Sequence, residues 1–190
     1  MKPVSLPTLV PGSKPDRSRL LAAIARYGDA YPEETDVVAR FQAFVQAHER
    51  CFENDLWAGH ITGSAWVVDP AGERTLLTHH KKLGRWLQLG GHSDGDHDTW
   101  RVAQREAEEE SGLVVTLHDE AIFDLDVHAI PARKDDPEHW HFDVRFAFRA
   151  LDTRYSVSEE SNDLAWVPVG EVAGYTDEWS VLRMAQKWIL

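Results

Sequence analysis

Hydrophobic and polar positions follow two different periods along the chain, which predicts a domain of mixed helices and strands. Apolar residues recur at helical spacing in residues 17–27, 35–51 and 177–190. Continuous or alternating apolar runs, which are typical of strands, occupy residues 61–69, 74–79, 86–89, 121–130 and 138–151. Between the first two runs, Pro70 to Gly72 predicts a tight turn, so these strands form a hairpin.

The chain begins with a proline-punctuated arm, residues 1–15, which we expect to be loosely ordered or laid over the surface. The two amphipathic helices that follow could form a cap, a dimer surface or part of the core. The core is favoured, because an amphipathic stripe usually buries its apolar side. We therefore divide the chain into residues 1–55, an arm and two helices packed on the main domain, and residues 56–190, the main domain with its C-terminal helix.

Residues 90–113 join a glycine-rich loop to a helix, and the rest of the chain is organised around them. Asp96 or Asp98 can cap the start of this helix through a side-chain oxygen, and Gly112 stands where a helix commonly ends. Asp94, Asp96 and Asp98 have the spacing of the first three ligands of a calcium-binding EF-hand loop. That interpretation fails because Thr99 replaces the required glycine.

The helix collects carboxylates on one face. Glu106, Glu109 and Glu110 are spaced i, i+3 and i+4, so their side chains gather on the same side. At separations of about 5 Å and an effective dielectric near 20, each pair would repel by roughly 3 kcal/mol, a cost that a divalent cation would reverse. The alternative is a solvated acidic face balanced by Arg101 and Arg105.

This stretch resembles the signature of the Nudix hydrolase family. That signature reads Gly, five residues, Glu, seven residues, then Arg-Glu-apolar-any-Glu-Glu-any-Gly-apolar. Gly91 opens it, and its second half is matched in full by Arg105, Glu106, Ala107, Glu109, Glu110, Gly112 and Leu113. The first glutamate of the signature falls on His97. The family uses that glutamate mainly to support the loop and helix, so the departure bears more on activity than on fold.

The resemblance implies an α/β fold, an α/β/α sandwich around a mixed sheet with the N-terminal helices added. It implies that Glu106, Glu109 and Glu110, with a backbone carbonyl near Gly91, bind Mg²⁺ or Mn²⁺, and that Arg105 orients the acidic side chains. The implied reaction is hydrolysis of a diphosphate linkage in a nucleoside diphosphate derivative, by attack of water on phosphorus.

A further carboxylate is expected downstream, because residues 157–169 resemble the loop-to-strand passage where many family members place a glutamate over the metal site. Glu159 and Glu160 are the candidates, and Glu160 is taken as catalytic; Asp163 is less favoured. The general base is a carboxylate either of the signature or of this passage, and the sequence does not choose between them.

The strand predicted in residues 138–151 carries polar side chains along one face, which indicates a cleft or a wet surface. Its members are His139, His141, Asp143 and Arg145. We predict that His139, His141 and Arg145 contact substrate. Two alternatives stay open for the histidines, a polar structural network and a transition-metal site, although the sequence shows no third ligand. Arg145 could instead form a positioning pair with Asp143.

A second group of basic residues precedes the signature loop and could meet substrate phosphates, although an ordinary solvated turn is slightly favoured. Its members are His79, His80, Lys81, Lys82 and Arg85.

Amino-acid composition and net charge exclude some classes of binding partner. The 190 residues are 43% apolar, which is enough for one substantial core, and carry a net charge of −12, which argues against binding nucleic acid or an anionic membrane. The expected partner is a small nucleotide-type substrate; a homodimer stays open. The single Cys51 excludes an intrachain disulfide, and no signal-like or membrane-spanning run is present, so a cytoplasmic location is predicted.

Two other functions remain as hypotheses. One is a Nudix-fold ligand-binding or regulatory protein with little turnover, which His97 supports and the retained carboxylates oppose. The other is an isomerase of a prenyl diphosphate, which needs a reactive cysteine near the site. Cys51 lies outside the signature domain.

Overall fold

A computed structural model describes residues 17–133, 136–159 and 161–190. The predicted arm, residues 1–15, and the predicted catalytic Glu160 therefore lie outside the described residues. Within the described ranges, no helix has both the length and the apolar character needed to cross a membrane.

The four predicted α-helices are present. They are α1 (Arg17–Ala30), α2 (Thr35–Ala47), α3 (Thr99–Ser111) and α4 (Trp179–Ile189), and two short 3₁₀ helices lie at Pro32–Glu34 and Val169–Gly174. α2 ends before the predicted end at Cys51, because His48 already has extended backbone. α3 ends at Gly112, whose φ of 68° is a left-handed conformation that glycine adopts without strain.

Within the described residues, eight strands form one mixed sheet. They are β1 (His60–Val68), β2 (Arg74–His80), β3 (Arg85–Leu87), β4 (Leu89–His92), β5 (Val115–Leu117), β6 (Asp124–Ile130), β7 (His139–Ala150) and β8 (Ser161–Pro168). The single strand predicted in residues 86–89 is two strands, since the chain leaves β2 at Gln88 and continues beside β1. The short β5 was not predicted.

β1 and β7 form the centre of the sheet and run parallel over their full paired length. β2 and β4 pair with the other edge of β1, while β5 and β6 pair with the other edge of β7, all antiparallel. β3 and β8 extend the sheet from β2. Helices lie on both faces of this sheet, which confirms the predicted α/β fold class.

The N-terminal helices belong to the main core. α1 and α2 bury apolar side chains in the same cluster as α3 and one face of β1 and β7. Phe44 stacks on Phe142 of β7 at a ring distance of 3.9 Å, and Phe41 meets the same ring edge-on at 5.3 Å. α4 covers the opposite face, where Met184 packs with Trp66 in a second cluster.

A buried carboxylate, Asp124, joins β6 to α4 and to the centre of the sheet. Its side chain is fully buried and receives two hydrogen bonds from Arg183, at 2.7 and 2.8 Å. Lys187 donates to it at 2.7 Å and Arg145 at 3.2 Å. Three cationic side chains therefore surround the Asp124 carboxylate. Its negative charge can be buried because each of these hydrogen bonds comes from a charged donor.

Lys187 extends this network to the N-terminal helices. Its ammonium lies 2.6 Å from Glu34 Oε1 and donates to the hydroxyl of Tyr27 at 2.5 Å. The same ammonium sits over the ring of Tyr31, 4.1 Å from its centroid. The last helix of the chain is thereby tied to the first by polar contacts as well as by the sheet between them.

On the predicted polar face of β7, Asp143 and Arg145 are buried and His141 is half-buried, so this part of the face is not the wet surface that was one of the two expectations. Arg145 is 2% exposed; it donates to Asp143 at 2.7 Å and to the Ser180 carbonyl at 3.2 Å, and it lies 3.4 Å from Asp126. The alternation identified the face correctly, but neighbouring strands and α4 supply the partners that allow these charges to be buried.

Removing the central cation should therefore destabilise the protein. We expect Arg145→Met to lower the free energy of unfolding by about 3–5 kcal/mol, because buried carboxylates lose a compensating charge. Urea unfolding followed by circular dichroism measures the change. The matched control is Arg154→Met, since Arg154 is 89% exposed and pairs only weakly with Asp152. An equal loss in both variants would contradict a structural role for the Arg145 network.

Candidate active site

The candidate site is built on close packing between α3 and the sheet. A Cβ added at Gly63 of β1 would lie 2.7 Å from the Thr99 carbonyl oxygen and 3.0 Å from the Ala103 nitrogen. These atoms belong to helix backbone and cannot move aside cheaply, so only glycine permits this packing. Gly63 pairs with Gly91 of β4, which places both glycines beneath α3.

Two signature carboxylates reach β4 across this contact. A Cβ at Gly91 would overlap the carboxylate of Glu106, so that carboxylate occupies the space a side chain would fill. Glu110 is buried and accepts a hydrogen bond from the Gly90 amide at 2.9 Å. Glu109, one residue earlier, is exposed. Two of the predicted metal ligands, Glu106 and Glu110, thus lie at the junction of β4 and α3.

Arg105 links the helix to the loop. It donates to Glu106 at 2.9 Å and to the carbonyl of His92 at 3.1 Å, and it lies 3.9 Å from Asp94. The hydrogen bond to Glu106 is the main reason that the pKa of Arg105 is raised above its usual value. Arg105 therefore orients Glu106, as the sequence predicts, and also fixes the end of β4.

The donor set fits a hard divalent cation. Three carboxylates and nearby backbone carbonyls supply only oxygen ligands, the type that Mg²⁺ and Mn²⁺ prefer. The neighbouring Glu108 is not part of this set: it accepts from Gln104 at 3.2 Å and from the Val115 amide at 3.4 Å. Glu108 thus serves to hold β5 to α3.

The loop before α3 is held by the chain segment that follows α2. The Gly95 amide donates to the Phe52 carbonyl at 2.9 Å, and Asn54 donates to Asp94. His97, at the position of the missing signature glutamate, packs its ring 5.2 Å from that of Phe52. These contacts support the loop without a glutamate at that position.

Residues 60–185, about two thirds of the chain, match the family model of the NUDIX domain. The chain belongs to the Nudix family. Nudix hydrolases act on phosphoric anhydrides, and this chain is a hydrolase of that type.

Solved Nudix structures share the fold at low identity. A NUDIX-family hydrolase from Clostridium perfringens is 24% identical, with a TM-score of 0.50 over 68% of this chain and 96% of its own. The MutT protein of Methanosarcina mazei Go1 is 18% identical, with a TM-score of 0.54 over 70% and 95%. A C. elegans Ap4A hydrolase is 17% identical, with a TM-score of 0.51 over 68% and 94%. A comparison with curated protein sequences found no match.

The two histidines predicted on β7 enter a cluster that the sequence did not reveal. His141 lies beside His60 of β1, His92 of β4 and His128 of β6, at ring distances of 4.8, 5.2 and 5.4 Å. His139 adjoins His60 at 4.9 Å. Sequence reasoning missed His60 and His92, because the pairing of strands alone brings them to the same face.

Burial disfavours the charged form of two members of this histidine cluster, His60 and His141. Burial is the main cause that lowers the pKa of His60 to about 4, and the neighbouring His92 and His139 lower it further. Burial also lowers the pKa of His141, with His60 and His92 as the next contributors. At physiological pH both imidazoles therefore carry a lone pair that a ligand can use.

For the remaining predicted site residues, no contact with the carboxylates of α3 is described. Arg145 is enclosed by carboxylates, so this geometry gives no support to the prediction that it contacts substrate. Glu159 is exposed, and its backbone carbonyl accepts from Lys81 at 3.4 Å. Lys82 is exposed in the same β2 to β3 turn, while Arg85 pairs with Glu178.

Cys51 is unsuited to the isomerase hypothesis. Its thiol is buried, and burial is the main cause that raises its pKa to about 11. A thiol held protonated in apolar surroundings is a poor nucleophile.

Gly91→Ala should impair the site without unfolding the protein. The added methyl displaces only the end of the Glu106 side chain, and misplacing a ligand by about 1 Å lowers kcat by roughly 10- to 100-fold. Thermal unfolding and steady-state kinetics separate the two effects. Gly170→Ala is the control, since a Cβ there meets no described atom within 4 Å. An unchanged kcat in Gly91→Ala would show that the position of Glu106 does not matter for catalysis.

His97→Glu tests the departure from the Nudix signature. We expect it to preserve or raise kcat, because it restores the family residue at a position already braced by Phe52. Steady-state kinetics beside the unchanged protein measures the effect. A fall in kcat with unchanged thermal stability would instead give the histidine a positive role.

Proposed function

We propose that this Nudix protein hydrolyses a diphosphate linkage in a nucleoside diphosphate derivative, with Mg²⁺ or Mn²⁺ as its cofactor. The supporting observation is that Glu106 and Glu110 reach the glycines of β4, with Arg105 holding Glu106, while Glu109 lies exposed on the same helix. When bound, the cation supplies positive charge to phosphoryl oxygens and acidifies water.

The three glutamates of α3 differ in burial and in hydrogen-bond partners, so we assign them different roles. Glu110 is buried and held by the Gly90 amide, so its position is fixed by the backbone of β4. Glu106 is held by Arg105 and lies in the gap above Gly91. Glu109 is exposed, so its carboxylate can meet solvent and substrate as well as a cation.

A carboxylate is proposed to accept the proton of the attacking water, which then displaces one side of the diphosphate. Glu109 is accessible to such a water. Glu159 is an alternative, because the loop that carries it passes the end of α3: the Ser156 amide donates to the Ser111 carbonyl at 2.7 Å. Glu160 stays a prediction, since it lies outside the described residues.

The proposed substrate class is a small nucleotide derivative. The net charge of −12 opposes polyanions in general, so a phosphate group would bind only where a cation or fixed donors compensate its charge. The C. elegans structure with the same fold is described as an Ap4A hydrolase, a protein that acts on a nucleotide with bridged phosphates.

Glu109→Gln tests the proposal. We expect it to lower kcat by at least about 100-fold with little change in stability, because an exposed carboxylate becomes neutral at nearly constant shape. The assay combines Mg²⁺ or Mn²⁺ with nucleoside triphosphates, dinucleoside polyphosphates, nucleotide sugars, ADP-ribose and dinucleotide cofactors, and separates the products by chromatography.

The matched control for this assay is Glu108→Gln, one residue away on the same helix. Glu108 faces Gln104 and the Val115 amide, and glutamine keeps an acceptor there, so activity should be retained. Equal activity of Glu109→Gln and the unchanged protein would exclude Glu109 from the site. Cation binding without cleavage of any substrate class would overturn the proposed hydrolysis of nucleotides.

A further inference from the structure

Three histidines from three strands face one another on the side of β4 opposite the carboxylates. His60 pairs with His141 across β1 and β7, and Thr62, two residues on, pairs with His92 across β1 and β4. Side chains two residues apart on a strand share a face, so the three imidazoles project to the same side. Their ring centroids form a nearly equilateral triangle with edges of 4.8, 5.1 and 5.2 Å.

The ring nitrogens are close enough to share one ion. One nitrogen from each of His60, His92 and His141 lies within 4.8 Å of the others. Bonds of about 2.1 Å to a common metal would bring tetrahedral nitrogens to about 3.4 Å from one another, so each must move by less than about 1 Å. Small ring rotations are sufficient for a shift of that size.

His60 is buried and His141 is half-buried, and both have buried ring nitrogens without a hydrogen bond of normal geometry. Among residues 17–133, 136–159 and 161–190, no hydrogen bond of normal geometry reaches either ring nitrogen of His60 or Nε2 of His141, and the Leu56 backbone makes only a weaker polar contact with the His60 ring. His60 is only 2% exposed. Burying an unpaired polar nitrogen is unfavourable, and a coordinated metal would use the lone pair that otherwise has no partner.

We propose that His60, His92 and His141 form a binding site for a transition-metal ion of the Zn²⁺ class, separate from the carboxylate site. Three imidazole ligands suit Zn²⁺ and its close relatives, whereas Mg²⁺ and Mn²⁺ prefer oxygen. Three protein ligands leave a fourth position for water or another ligand. His92 is exposed, so that position is reached from solvent.

Two further histidines pack around the triad. The two neighbouring histidines each have Nδ1 held by an oxygen: His139 by the Pro137 carbonyl at 2.9 Å and His128 by Asp126 at 2.9 Å. These contacts fix the orientation of two rings that pack against the triad.

The two sites are separated by the backbone of β4. Gly91 faces α3 and Glu106, while the side chain of the next residue, His92, faces His60 and His141. Arg105 contacts both residues, since it donates to Glu106 and to the His92 carbonyl. The sites therefore differ in face and in ligand type, and their metals can be distinguished by competition.

The test measures metal retention in the absence of substrate. Chelator-treated protein is incubated with Zn²⁺ in a large excess of Mg²⁺, which occupies the carboxylates, then desalted and analysed for metal content. We expect about one retained Zn²⁺ per chain, also in Glu109→Gln, and at least about 100-fold weaker binding in His92→Ala, because a ligand is removed. Co²⁺ in place of Zn²⁺ should give the visible absorption of a four-coordinate ion, lost in the same variant.

The matched control is His118→Ala, an exposed histidine outside the cluster whose ring contacts Trp188 at 4.9 Å. It should retain Zn²⁺ as the unchanged protein does. Because His92 is exposed, its variant should fold, and circular dichroism with thermal unfolding verifies this. Unchanged Zn²⁺ retention in folded His92→Ala overturns the proposal, as does failure of the unchanged protein to retain Zn²⁺. A raised KM in His92→Ala without any metal retention would assign the histidines to substrate contact instead.

Discussion

The close packing of α3 against β1 and β4 is the constraint on which the site depends. It is possible because positions 63 and 91 are glycines. A side chain at Gly63 would meet helix backbone, and one at Gly91 would meet the Glu106 carboxylate. With the helix this near, Glu110 reaches the Gly90 amide and Arg105 reaches the His92 carbonyl. Any greater separation would break these hydrogen bonds and leave the carboxylates without a fixed partner on the sheet.

The same strand presents different chemistry on its two faces. Because side chains alternate along a strand, Gly91 opens toward the carboxylates of α3 and His92 opens toward the histidines of β1 and β7. Carboxylate oxygens lie on one side and imidazole nitrogens on the other. A displacement of β4 would change both sets at once, so the glycine contact governs the geometry of the histidines as well.

The buried ion network serves a different purpose, which is to join distant parts of the chain. Asp124 receives hydrogen bonds from Arg145, Arg183 and Lys187, and Lys187 continues to Glu34. Burial of these groups is costly unless every charge is paired, and here each has a partner of opposite sign. The network explains why polar residues on β7 lie inside the protein.

The sequence by itself determined the helices and most strands, and it supplied the carboxylates of the proposed site. Glu106, Glu109 and Glu110 are close in sequence, and helix geometry alone places them on one face. Alternation likewise identified the polar face of β7, although it could not show which elements cover that face.

Only the tertiary structure decided the rest. His60, His92 and His141 are far apart in the chain, and their meeting depends on the register of three paired strands, which no local pattern encodes. The same holds for Arg145, whose partners Asp124 and Ser180 come from another strand and from the C-terminal helix. Local spacing fixes what one helix or strand presents, whereas long-range pairing fixes what meets it.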